Sequence, residues 1–174
     1  GSVLSLCPKK YELTRNGECY RQYKSALDVS PGNAPSTAVY DCGKDNALPV
    51  IIRNQEDQDY WWSVAQKDKK KGGNLLLGMV CTRDKHWQWA DGSEVIFRPE
   101  KYDADVDAPC NDNGYHYCAI AIDAKSGAWK SLCNDDITID LYCVFVPAPP
   151  ALQQDQNCAE FEHDDEDDVC YQVG

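Results

Sequence analysis

The sequence predicts an α+β domain with two early helices and a small, mostly antiparallel sheet, stapled by disulfides. Three observations predict it. Two helix-compatible segments come first, several short apolar runs separated by turn signals follow, and ten cysteines are spread over the 174 residues.

The elements can be justified in order. Asn16-Gly17 is a hairpin turn between Tyr11-Glu12-Leu13 and Cys19-Tyr20-Arg21, and a bridge from Cys7 to Cys19 would staple it. Residues 29–35 read as a loop. Ser36 is placed to cap a first helix and Gly43 to end it in a left-handed turn, with Ala38 and Cys42 one turn apart on one face. Residues 48–52 are a short apolar run, read as a buried strand. Asn54 is placed to cap a second helix over 55 to about 66, with Glu56 and Asp57 in the first turn, where the helix dipole favours acids. Tyr60, Trp61 and Val64 fall on one stripe of it and are read as core. Residues 67–73 read as an exposed basic loop. Residues 75–81 form another buried strand, Trp87-Gln88-Trp89 alternates as a strand does, and Asp91-Gly92 turns the chain. Residues 98–117 are polar and aperiodic, longer than an ordinary connection, and so a candidate functional loop. Strands are expected over 118–122, 129–133 and 141–146, the first two joined by Lys125-Ser126-Gly127. Pro147, Pro149 and Pro150 end the last one and begin a linker.

Charge and composition exclude several functions. The net charge of −12 is concentrated at the end: from Pro147 onward there are eight acids and no Lys or Arg. The body holds 21 acids against 17 bases, so the positive excess that phosphate backbones require is missing and nucleic-acid binding is not expected. No apolar run approaches the ~20 residues of a membrane span, so no membrane insertion is expected in this segment. Gly-x-Ser-x-Gly, a phosphate-binding glycine loop and His-Glu-x-x-His are all missing, and no enzyme is expected.

The cysteines are 7, 19, 42, 81, 110, 118, 133, 143, 158 and 170. No Cys-x-x-Cys pair occurs and histidine is scarce, which argues against zinc and redox sites and for structural disulfides in an oxidising, extracellular setting. Spacing alone leaves about 945 pairings open.

From Cys7 to Val146 the order of motifs resembles the C-type lectin-like domain. The opening Cys-Pro hairpin resembles the long form of that family, Ala38-x-x-x-Cys42 its first-helix motif, Leu76-Leu77-Gly78-Met79 its Trp-Ile-Gly-Leu segment without the Trp, and Trp89-Ala90-Asp91-Gly92 its Trp-x-Asp-Gly turn. Cys118, Trp129, Cys133 and Cys143 resemble its closing pattern, and the extra cysteines are similar to those of some nematode members. The resemblance implies bonds Cys42–Cys143, Cys118–Cys133 and Cys7–Cys19, and leaves Cys81 to pair with Cys110. It also implies that Pro109 is the cis proline that shapes the family's long loop.

Sugar-binding members hold calcium through a Glu-Pro-Asn or Gln-Pro-Asp triplet and a Trp-Asn-Asp triplet. The matching positions here read Ala108-Pro109-Cys110 and Trp129-Lys130-Ser131. Oxygen ligands are lost and a cation is gained, so the usual calcium–sugar mechanism is not expected and no cofactor is assigned. A displaced calcium site at Asp103, Asp105 and Asp107 is the rival reading. If the loop is extended, these alternate positions share one side; solvated acids are the plainer alternative.

The expected domain spans residues 3–146, followed by a linker over 147–157. Cys158 and Cys170 repeat the spacing of Cys7 and Cys19, and Cys170-Tyr171 echoes Cys19-Tyr20, so 158–174 read as the opening hairpin of a second such domain or as a local disulfide loop. Both readings predict a Cys158–Cys170 bond. The expected function is extracellular recognition or adhesion, with a protein ligand or co-receptor bound through the long loop. The candidate contact residues are Tyr102, Asp105, Asp107, Asn111, Asp112, Tyr115, Tyr117 and Lys130, the tyrosines being suited to anchor a partner. A glycan-binding lectin with a non-standard or displaced calcium site is the alternative.

Overall fold

The computed structural model describes residues 7–14, 16–24, 34–67, 73–110, 118–133 and 139–145. Nine short strands, two α-helices and one 3₁₀ turn lie among them. Strands β1 (Glu12–Leu13), β2 (Cys19–Lys24), β3 (Leu48–Pro49) and β9 (Leu141–Phe145) form an antiparallel sheet in the order β1-β2-β9-β3. A second antiparallel sheet runs β4 (Asn74–Leu76), β7 (Ala119–Asp123), β8 (Trp129–Leu132). Strands β5 (Met79–Cys81) and β6 (Trp87–Trp89) form a separate hairpin. The opening hairpin is therefore paired with the last strand through β2, with Arg21 opposite Cys143.

Helix α2 (Gln55–Lys67) starts where local chemistry dictates. Asn54 Oδ1 accepts the Asp57 N–H at 2.8 Å, and Asp57 Oδ2 accepts the Arg53 N–H at 2.9 Å. Asp57 Oδ1 also accepts Asn16 Nδ2 at 3.0 Å, which ties the turn of the first hairpin to the start of this helix. Helix α1 (Ala34–Gly43) begins two residues before the expected cap at Ser36, with Pro35 in the first turn, where its missing N–H costs nothing. Gly43 does not take the left-handed turn. A run of turns continues to Asn46, which takes the positive φ (56°) instead, because its short polar side chain tolerates that region.

The core has two compartments separated by β7. Ile120 and Ile122 face Trp61 and Val64 of α2, while Ala119 and Ala121 lie in the cluster that holds Ala38 and Cys42 of α1. This is the two-residue period of a strand buried on both faces. Of the expected stripe on α2, Trp61 and Val64 are buried and Tyr60 is half-buried.

Two expected strands are shorter than predicted. Pairing over 48–52 stops at Pro49, and Val50 makes only an isolated bridge to Leu77. The run 75–81 divides into β4 and β5 at Gly78, whose N–H donates to Val50 O at 2.7 Å. A Cβ there would lie 3.2 Å from Pro49 O and 3.3 Å from Val50 O, so glycine permits this close crossing of two chains.

The four disulfides among the described residues are Cys7–Cys19, Cys42–Cys143, Cys81–Cys110 and Cys118–Cys133, as the resemblance implies. The expected Cys158–Cys170 bond, and with it the whole of 147–174, lies outside the described residues. No described helix is long and apolar enough to cross a membrane.

Gly127 closes the β7–β8 turn with φ 74°, and a Cβ there would meet Trp62 Cδ2 at 2.7 Å. Gly127→Ala is expected to lower stability by roughly 1–3 kcal/mol through backbone strain and this clash. The check is a lower urea midpoint at unchanged slope.

Candidate functional site

The described part of the long loop, 98–110, is a built structure. At its base is Trp129, fully buried at 0% exposure, with ring contacts to Trp89 (5.9 Å) and Phe97 (6.2 Å). Its indole N–H donates to Gln58 Oε1 at 2.8 Å, and Gln58 Nε2 donates to Gly127 O at 2.7 Å. The loop is stitched to β8 through the same residue. Trp129 N–H donates to Lys101 O at 3.1 Å, and Asp103 N–H donates to Trp129 O at 2.9 Å. On the other side, Trp87 of β6 donates its indole N–H to Asp105 O at 3.0 Å. The Cys81–Cys110 bond and the Cys110 N–H to Lys85 O hydrogen bond (3.0 Å) fix the loop to the β5–β6 hairpin.

Among the contact residues expected from sequence, Tyr102 and Asp107 come together. The Tyr102 hydroxyl donates to Asp107 Oδ2 at 2.8 Å, and Arg98 Nε donates to Oδ1 of the same carboxylate. Arg98 Nη1 also donates to Val95 O at 3.1 Å, so the guanidinium braces the loop entry. The hydrogen bond from Tyr102, with that from Arg98, holds the Asp107 carboxyl below its ordinary range, and the same bond raises the Tyr102 phenol.

Asp105 contributes its carbonyl oxygen to Trp87. Asp103 Oδ2 accepts the Ser131 N–H at 2.6 Å. The extended-loop expectation for Asp103, Asp105 and Asp107 is corrected here. Residues Ala104–Val106 form a 3₁₀ turn, which replaces the strand-like alternation, and Asp103 and Asp107 serve different partners. No three His, Cys, Asp or Glu side chains among the described residues are grouped as a metal site. Pro109 is trans, as is every described peptide bond, so the expected cis proline is also corrected; the adjacent Cys110 bond and amide hold the loop instead.

Lys130 points elsewhere. Its ammonium lies 2.8 Å from Asp123 Oδ2 on β7. Burial pushes the Asp123 carboxyl up, but the Lys130 ammonium, the Lys125 N–H and the Ser126 hydroxyl outweigh this and hold it low. Asn111, Asp112, Tyr115 and Tyr117 lie outside the described residues.

A groove of about 210 Å³ opens beside the Arg98–Asp107 pair, walled by Trp87, Val95, Val106 and Pro109 with His86 at its edge. Ile96 stands next to it at 80% exposure. Sequence reasoning missed His86, Val95 and Ile96 as surface residues of this site. An isolated exposed isoleucine in an irregular segment carries no periodic signal that would have found it.

No family model matches the chain. Rat (Rattus norvegicus) CD302 antigen is 28% identical over 131 residues, a match that covers 74% of this chain and 53% of that protein. The chain thus spans about half the length of this relative. Among solved structures, the C-type lectin CEL-I from Cucumaria echinata superimposes with a TM-score of 0.57 at 21% identity, covering 82% of this chain and 99% of that one. A calcium-independent type II antifreeze protein gives 0.56 at 18% identity over 82% of this chain and 95% of its own. The SPL-1–GlcNAc complex gives 0.60 at 15% identity, over 82% and 96%. Two helices, small antiparallel sheets and four disulfides among the described residues, with a chain that superimposes on these structures over most of its length, make this chain a C-type lectin fold.

Proposed function

We infer that this is an extracellular recognition domain whose long-loop face binds a protein partner without a calcium-held sugar. One observation carries the reading: the positions that match the family's calcium triplets hold no carboxylate or amide and are engaged within the domain. Ala108 has no side-chain oxygen, Cys110 is bonded to Cys81, and the Lys130 ammonium sits on Asp123. A calcium ion takes six to eight oxygen ligands, and these residues do not fit it. Four disulfides support an oxidising, extracellular setting, and CD302 antigen supports a cell-surface one. What the loop offers instead is a braced groove walled by Trp87, Val95 and Val106, with the exposed Ile96 next in sequence to Val95 and Tyr102 bonded to Asp107 of the lining, the apolar-plus-aromatic mixture that anchors protein interfaces. The repeated cysteine spacing at 158 and 170 supports the start of a second such domain after this one.

The test combines two measurements. The melting temperature is expected to be the same in calcium and in chelator, with no signal on a glycan array. On an array of extracellular proteins, a binder is expected whose affinity falls at least tenfold with Ile96→Asp and is unchanged by Leu13→Asp, an exposed residue of β1. A chelator-sensitive melt with sugar binding would instead establish the glycan reading, which the SPL-1–GlcNAc neighbour favours.

A further inference from the structure

Asn16-Gly17, in the turn of the first hairpin, carries a reactive pair of groups. Asparagine is thermolabile because the backbone nitrogen of the next residue can attack its side-chain carbonyl carbon. Glycine presents that nitrogen with the least hindrance, since it has no Cβ and the widest backbone freedom. Both residues are exposed, and a Cβ built on Gly17 would meet nothing within 4 Å, so water and backbone movement have access here.

Two native contacts hold the pair back from reaction. Asn16 Nδ2 donates to Asp57 Oδ1 at 3.0 Å, and the Gly17 N–H donates to Thr14 O at 3.2 Å. The first of these is also the tie between the hairpin and α2. Asp57 is buried and its other oxygen accepts the Arg53 N–H at 2.9 Å, so its carboxylate is fixed by the start of α2 independently of the hairpin. The surroundings are already acidic. Glu18 is half-buried, and burial together with the Asp57 charge raises its carboxyl above the ordinary range against the opposing pull of Arg53. A carboxylate at position 16 would remove the donor that meets Asp57 and add a like charge in its place.

We propose that Asn16 is a site of spontaneous deamidation, gated by its bond to Asp57, and that the product unlatches the first hairpin from α2. The Gly17 nitrogen bonds to the Asn16 side-chain carbonyl carbon, the bond from that carbon to Nδ2 breaks, and the Gly17 amide proton leaves with the nitrogen as ammonia. Water then opens the cyclic imide at either carbonyl, which gives aspartate or isoaspartate at position 16. Ring closure needs the bonds to Asp57 and Thr14 to open, so the rate follows local opening of the latch. After the amide is lost the latch cannot re-form, because an acceptor then faces an acceptor.

The test is ageing of the full chain at neutral pH and physiological temperature, followed by peptide mapping and by melting temperature. A mass gain of one unit at Asn16, with isoaspartate among the products, is expected, and the melting temperature falls as it accumulates. Asn16→Asp makes the product directly and is expected to melt about 2–4 °C below the unaged protein. Asn16→Gln keeps an amide but closes the ring far less readily, so its peptide is expected to gain no mass over the same period. Asp57→Ala removes the acceptor and is expected to speed deamidation at position 16 at least threefold, relative to Asn113-Gly114 on the same map, which corrects for general loosening of the fold. No gain at Asn16 in the folded chain, over a period in which the urea-unfolded chain reacts, would overturn the site. An unchanged relative rate in Asp57→Ala would overturn the latch. So, should that variant not fold, would an Asn16→Asp melting temperature equal to that of the unaged protein.

Discussion

Replacing Cys42 and Cys143 together with alanine is expected to lower stability by about 4–5 kcal/mol in the chain-entropy account, the largest loss among the four described bridges. The two residues are 101 apart in sequence, and both are fully buried. Their bond joins α1 to β9, and β9 is the strand that pairs with both β2 and β3. Breaking it frees a loop that covers most of the domain. Alanine is the better test than serine, because two buried hydroxyls without partners would add a cost of their own. The control is Cys7→Ala with Cys19→Ala, which opens a span of only 12 residues. The same account predicts a loss smaller by roughly 2 kcal/mol there. Urea unfolding of both double variants under non-reducing conditions measures the difference. Equal midpoints would mean that the long-range bond adds nothing beyond local stapling. Domains of this kind have only about 5–15 kcal/mol in total, so the Cys42/Cys143 variant is expected to be partly unfolded at 37 °C.

What the sequence disclosed, and what it did not, follows from the range of the interactions. The cap at Asn54, the turns at Gly17, Gly92 and Gly127 and the buried Ala38–Cys42 face are set by residues within four positions of each other, and each was legible. The family pattern supplied the cysteine pairing, which spacing alone left open. The break at Gly78 was not legible, because it depends on Pro49 and Val50 crossing there. The same holds at the site. Lys130 looked free until the β7–β8 register brought it to Asp123. Asp103 and Asp107 looked like a pair on one side until the 3₁₀ turn between them assigned one to Ser131 and the other to Tyr102 and Arg98. The loop as a whole was found by its length and polarity. Its groove was not, since Trp87, Val95, Arg98, Val106 and Pro109 are spread over three segments and come together only in three dimensions.

Trp129→Ala is expected to be the most damaging single substitution at the candidate site, at about 3–5 kcal/mol for the lost ring alone. The indole is fully buried and packs on Trp89 and Phe97, so truncation leaves a cavity at the junction of β8, β6 and the loop. It also leaves Gln58 Oε1 buried without its 2.8 Å donor, a further cost of about 1–3 kcal/mol. Trp129→Phe separates the two effects. It keeps much of the apolar surface and loses only the indole N–H, so a loss nearer 1–3 kcal/mol is expected. The loop should respond beyond the stability change. Asp103 N–H and Lys101 O are bonded to the Trp129 backbone, so amide exchange at Asp103 should accelerate in the alanine variant more than exchange at Ile120 in the core. A uniform acceleration would mean that the loop has no local dependence on this residue. If Trp129→Ala cost less than about 1 kcal/mol, the indole could not be the anchor that holds the loop, and the groove beside Arg98 would need another support.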